Sequence, residues 1–270
     1  YVATGHYCQK GEIEKNGESI YQLLAGFDKN KDQSYFLCQL SQHQLAKALF
    51  PIGHLKKPDV RKIAEEQGLV TANKKDSQGL CFIGKVHLPE FLQQKLKAKE
   101  GNIIEIPKES PLYKNAVGDD LKEITAPFVH NAEDGEVVGK HNGAHFFTIG
   151  QRKGLGVGGK IEPLFVIATD VENNIVYTGQ GHNHPGLNRK GIFISKDEVH
   201  WTRSDLKMLP GEKREYLSRI RYRQALSPAT LSMRDEGLYI VFHEDQRGVA
   251  SGQFAAWYDG EESIGSGVIG

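Results

Sequence analysis

The chain has 270 residues, 39% hydrophobic and 25% charged, which is the composition of a globular protein with room for two domains or one large domain and a satellite. Lysine plus arginine and aspartate plus glutamate both number 34, so a nucleic-acid partner would need local basic patches rather than a global field. No apolar run reaches the ~18 residues that span a membrane, and no secretory leader is visible. The three cysteines, at positions 8, 38 and 81, form no CxxC pair, which speaks for a reducing cytoplasm and against zinc.

In chain order, YVATGHY and ESIYQLLAG read as two short strands. Ser41 is placed to cap a helix carrying Leu45, Ala48 and Leu49. KKPDVRKIAEEQGLV predicts a helix with Pro58 in its first turn, Gly68 past its end, and Val60, Ile63 and Ala64 as the inward stripe. A further helix is expected over 89–97. From Asn102 onward GNIIEI, GEVVGKHNG and AHFFTIGQRKGLGVGG read as short strands joined by glycine-rich turns, with a polar insertion or long loop at 107–135. After Glu162 nearly every segment is strand-like, beginning with the hairpin LFVIATDVENNIVYTG, and the regular spacing predicts a closing β-barrel.

Four groups of residues carry possible chemistry. Cys81 lies in KKDSQGLCFIG, between two glycines and near Lys74, Lys75 and Lys85; cations lower a thiol's pKa, so it is either a reactive thiolate or a small residue tucked under a loop. Cys8 and Cys38 sit in apolar settings and read as core filler. In SRIRYRQ, period two places Arg219, Arg221 and Arg223 on one strand face, fit either for a phosphate backbone or for a solvated face with acidic partners. Arg152 and Lys153 ride on a glycine-rich hairpin open to a bulky polyanion, although that run lacks a GxxxxGK[ST] phosphate loop. His182 and His184 stand two apart without a third ligand, so no metal site is expected. Lys31, Asp32 and Gln33 precede a helix, where Asp suits a cap and Gln suits a base edge.

Several stretches in fixed order, YVATGHY, KNKDQSYFL, PIGHLKKPDVRKIAEEQGL, KKDSQGLCFIG, TIGQRKGLGVGG, IRYRQ and SGQFAAWYDGE, resemble the bacterial tRNA-specific 2-thiouridylases along the whole chain. The resemblance implies an α/β plus β fold: part of an ATP-pyrophosphatase (HUP-like) α/β domain over 1–88, a small central domain over 89–161, and a β-barrel over 162–270. It implies ATP-dependent, Mg-dependent adenylation of the wobble uridine C2 oxygen, then sulfur transfer from a cysteine persulfide in the cytoplasm.

By position, Cys81 matches the persulfide-bearing cysteine and Gly5 the glycine that contacts ATP. His6, Lys31, Asp32, Gln33, Arg221, Tyr222 and Gln253 match tRNA contacts. Strand periodicity sets Arg221 and Tyr222 on opposite faces, which strains a shared contact unless they lie near an edge or twist. The partners implied are tRNA and a sulfur donor, either a relay protein or a cysteine desulfurase, with no membrane. The family's SGGVDSS-type ATP loop and second catalytic cysteine lie upstream of YVATGHY and are not in this chain. By itself the chain is therefore expected to be a truncated, inactive form. The alternatives are a tRNA-docking module or a persulfide carrier.

Overall fold

The computed structural model describes residues 1–73, 97–113 and 120–270. They form two compact units, one from residues 1–73, Gly191–Glu244 and Ser251–Gly270, the other from the remaining described residues up to 190 together with Asp245–Ala250.

In the first unit β1 (Val2–Ala3) pairs in parallel with β4 (Ala48–Leu49), Val2 standing opposite Ala48. Only these two residues of YVATGHY are strand, because the segment then leaves the sheet to bond elsewhere. Between them lies an antiparallel hairpin of β2 (Cys8–Lys15) and β3 (Glu18–Ala25). It turns on Asn16 (φ 55) and Gly17 (φ 79), the pair of positive φ values that matches the natural strand twist. Helix α1 (Gln42–Lys47) carries the expected cap: the Ser41 hydroxyl accepts from the Gln44 N–H, and the Gln44 side chain accepts from the Ser41 N–H. Helix α2 (Lys57–Glu66) has Pro58 in its first turn, and Gly68 follows with φ 64. Its stripe is not inward as expected: no α2 residue is buried, and Ile63 is 46% exposed.

The large sheet of this unit runs in the order β2-β3-β15-β14-β11-β12-β13-β9, with β10 against β15. Its later members are β9 (Asn188–Ser195), β10 (Val199–Trp201), β11 (Lys213–Arg219), β12 (Ser227–Met233), β13 (Gly237–Arg247), β14 (Phe254–Asp259) and β15 (Glu262–Val268). One edge of β15 is shared: Glu262 and Ser263 face Leu24 and Leu23, while Gly265 to Gly267 face Trp201 to Val199. The N-terminal hairpin thus extends the barrel sheet through the β3–β15 pairing.

The second unit is built on β5 (Gly101–Glu105), β6 (Glu136–His141), β7 (Leu164–Asp170) and β8 (Ile175–Gln180), in the order β6-β5-β8-β7. The β7–β8 hairpin, expected to open the barrel after 161, belongs here. β5 lies parallel beside β8, with Asn102 opposite Ile175. Ile103, Val166 and Val176 then fill one core while Ile104, Phe165 and Tyr177 fill another, so both faces of this sheet are covered. The segment AHFFTIGQRKGLGVGG forms no strand. Gly150, Gly154, Gly156 and Gly159 all have positive φ, which a pleated strand does not accommodate. Within the expected 107–135 loop, α3 (Leu121–Thr125) is capped by Asp120, and Tyr113 packs edge-on against Phe128. Cys81 and the expected helix over 89–97, apart from Lys97, lie outside the described residues.

Candidate functional site

Four consecutive residues of the KDQSY run each fasten a different segment of the first unit. Asp32 is only 7% exposed. Its Oδ1 accepts from the N–H groups of Gly26 (3.1 Å) and Ser34 (3.0 Å), and its Oδ2 accepts from Arg219 Nη2 at 2.6 Å. Arg219, the last residue of β11, also donates to the Ser34 and Tyr258 hydroxyls at 2.8 Å each. Burial alone would raise the Asp32 pKa, but the hydrogen bonds from Arg219, Ser34 and Gly26 outweigh it and hold the carboxylate below its ordinary range. A buried ion pair is tolerated when further hydrogen bonds satisfy its remaining groups, and here Gly26, Ser34 and Tyr258 supply them.

Gln33 fastens the N-terminal segment. Its N–H donates to the Tyr7 carbonyl and its Oε1 accepts from the Tyr7 N–H, both at 3.0 Å. Gly53 backs onto the same segment; a Cβ there would lie 1.6 Å from the Cys8 carbonyl oxygen, so only glycine permits this approach. The Tyr35 hydroxyl sits 2.9 Å from the Ile220 carbonyl and 2.8 Å from that of Phe254, its one proton shared between them. The turn after β11 and the start of β14 are thereby tied to the 31–36 run.

These ties bring most of the expected residues into one unit. Gly5 is exposed beyond β1, and His6 is half-buried with Nδ1 2.7 Å from the Thr4 hydroxyl. Lys31 is half-buried next to Asp32 and Gln33, whose side chains are spent on the protein itself. Arg221 and Tyr222 are also half-buried, but they do not lie in a strand. β11 ends at Arg219, the Ile220 N–H turns to bond Gln224 Oε1, and Arg223 takes φ 64. The row of three guanidiniums on one strand face therefore does not exist: Arg219 is buried, and the other two arginines ride on a turn. That turn also removes the conflict of opposite faces between Arg221 and Tyr222. Gln253 directly precedes β14, and its Oε1 is buried without a partner among the described residues.

The remaining candidates fall elsewhere. Arg152 and Lys153 are exposed in the second unit, on a loop closed by Gln151 Nε2 donating to the Lys153 carbonyl at 2.8 Å. His184 spends both ring nitrogens on Ile106 and Gly186 of its own unit, whereas His182 packs on Phe165, so the two do not converge. Cys8 and Cys38 are buried in separate clusters of the first unit. Burial pushes the Cys8 thiol up to about 12 and raises Cys38 as well. The described residues do not make an ATP site: Gly5 is the single expected member, and a Cβ on it would meet nothing nearer than Ile52 Cδ1 at 4.0 Å. Sequence reading missed Ser34, Tyr35, Arg219 and Tyr258 as the frame of this site. Ser34 and Tyr35 stood in the KDQSY run, but polar residues that bond across the fold leave no periodicity.

Three family models match the chain in order: a tRNA methyl transferase HUP domain over residues 1–85, a tRNA methyl transferase PRC-barrel domain over 114–180, and an aminomethyltransferase β-barrel domain over 192–269. The fold class is therefore a HUP-type α/β portion, a PRC-barrel-type central domain and a β-barrel. The chain is 60% identical to the tRNA-specific 2-thiouridylase MnmA of Christiangramia forsetii and 60% identical to that of Flavobacterium johnsoniae, matching all of this chain and 70% of each relative. The enzyme of the same name from Karelsulcia muelleri is 48% identical over all of this chain and 69% of its own length. The chain belongs to the tRNA-specific 2-thiouridylase family.

Proposed function

We propose that the protein takes part in 2-thiolation of the wobble uridine of tRNA, with Cys81 as the residue that carries the persulfide sulfur and the first unit as the tRNA-docking surface. The observation that carries the docking role is the convergence of runs distant in sequence. His6, Lys31, Arg221, Tyr222 and Gln253 are held in one unit through Gln33, Asp32 and Tyr35. In this reading Lys31 and Arg221 take phosphate, Tyr222 takes a base or sugar face, and Gln253, directly before β14, adds a polar contact. Asp32 and Gln33 act by positioning Lys31 and His6. Arg152 and Lys153 give the second unit a separate place for the backbone of a large RNA.

ATP would supply the adenylate that makes the C2 oxygen a leaving group. Gly5 is the one position in this chain that we assign toward it, and no step is built on it. The sulfur reaches Cys81 from a donor protein, a relay protein or a cysteine desulfurase, in the cytoplasm. The test is nucleoside analysis of tRNA from cells lacking the gene. The wild-type gene should restore wobble 2-thiouridine and the Cys81→Ser gene should not. Restoration by Cys81→Ser would sink the sulfur-carrying role, and unchanged 2-thiouridine in the deletion strain would sink the function.

A further inference from the structure

Arg203 and Arg219 are both buried, and each is matched by acids: Asp205 and Glu262 for the first, Asp32 for the second. Arg189, in β9, departs from that pattern. Its Nη2 donates to the Thr125 carbonyl, while its Nε is buried without an acceptor among the described residues. No carboxylate of the described residues pairs with it, and burial lowers its proton affinity with no acid to oppose the effect. A charge withdrawn from water without a counter-charge is costly, so a guanidinium held this way suits an anion that arrives from solution.

Arg189 lines a cavity of the second unit of about 820 Å³, within the roughly 300–1,000 Å³ of small-molecule sites. Tyr113, Ile124, Pro127, Phe128 and Val129 give the cavity an apolar wall. Part of that wall is fixed from behind. The Tyr113 ring meets Phe128 and His184 edge-on at 5.0 and 5.2 Å, and its hydroxyl lies 3.2 Å from His130 Nε2. Val129 is 69% exposed, so apolar surface is left uncovered beside the cation. Two acids also line the cavity, Glu123 exposed on α3 and Asp245 at 4.0 Å from Lys190. Their charges oppose a second negative charge on an occupant, which favours a carboxylate over a phosphate dianion.

We infer that this cavity binds a small organic carboxylate with an apolar or aromatic body, its carboxylate on the Arg189 guanidinium and its body against Phe128 and Val129. The inference goes beyond the tRNA reading and does not rest on it. Charge and apolar surface act together here: the cation selects the carboxylate, and the wall adds affinity only for a molecule that carries a body.

The experiment titrates the intact protein with three probes: 3-phenylpropionate, its neutral isostere 3-phenylpropanamide, and acetate, which has the charge without the body. Wild type should bind 3-phenylpropionate about ten-fold or more tighter than either of the others. Arg189→Met should lose the preference for the acid over the amide, and Phe128→Ala should weaken 3-phenylpropionate while leaving acetate unchanged. The melting transition of each variant is recorded alongside. Should Arg189→Met not fold, the comparison of acid with amide on wild type still decides the matter, because it needs no substitution. Acid and amide bound equally by wild type, no binding of 3-phenylpropionate, or wild-type affinity for it in folded Arg189→Met would each overturn the inference. None of these results would touch the tRNA reading.

Discussion

Asp32 and Arg219 stand 187 residues apart in the chain, yet a carboxylate oxygen of one lies 2.6 Å from a guanidinium nitrogen of the other, both side chains 7% exposed. Removing one partner leaves a buried charge uncompensated, so Asp32→Ala should cost about 3–5 kcal/mol of stability in the first unit. The pH dependence has a definite sign. The folded pKa of Asp32 lies below its unfolded value, so the pair's stabilisation is present above about pH 4 and is lost as the pH falls through the folded value. Denaturant titrations between pH 3 and 7 should show an acid limb that is reduced in Asp32→Asn; an identical limb in both proteins would contradict this.

Tyr35 gives a gentler variant of the same site. Tyr35→Phe keeps the ring and removes the hydroxyl shared by the Ile220 and Phe254 carbonyls. Chemical denaturation should record a loss of about 1–2 kcal/mol. RNA affinity should also fall, although no charge has changed, because the turn carrying Arg221 and Tyr222 is no longer tied to the 31–36 run.

The second unit should respond to pH on its own. Burial lowers the His130 pKa to about 4, with its ring 3.2 Å from the Tyr113 hydroxyl and stacked on Tyr177. The unfolded chain therefore binds more protons than the folded one between about pH 4 and 6.5, and stability falls as the pH drops through that window. His130→Phe keeps a ring at this place and should flatten the slope in part. A remainder should persist, because burial also lowers His184. A slope unchanged in His130→Phe would show that His130 does not titrate in this way.

Cysteine alkylation separates the three thiols. Cys8 and Cys38 are buried, and burial disfavours the thiolate of each. Native protein treated with iodoacetamide near pH 7.5 should therefore acquire label at Cys81 long before the other two, which should react only on unfolding. Rapid native labelling of Cys8 or Cys38, read by peptide mass spectrometry, would refute their assignment to the core.

Local signals were legible in the sequence wherever a short-range rule decides the backbone. The Ser41–Gln44 capping box, Pro58 and Gly68 around α2, and the β7–β8 hairpin all follow from neighbours in the chain. What the sequence did not disclose is partnering at a distance. β3 and β15 meet across more than two hundred residues, and β5 inserts beside β8, pairings that no local pattern in the chain announces. SRIRYRQ misled for a related reason. Its alternation is that of a strand, but Arg219 turns inward to Asp32 and the strand stops there. The resemblance marked where the site residues lie in the chain, while the bonds of Asp32, Gln33, Ser34 and Tyr35 could be read only from the fold.

The most direct test of the central claim, that tRNA docks on the first unit, is the equilibrium affinity of the intact protein for a substrate tRNA across a salt series, compared with Arg221→Glu. Arg221 lies on the half-buried turn after β11, and the melting transition of the variant is recorded alongside so that a loss of affinity is read only from folded protein. The prediction is a loss of about ten-fold or more in affinity at low salt and a salt slope shallower by at least about one. Affinity and slope both equal to wild type would place the tRNA elsewhere and contradict the docking surface proposed here.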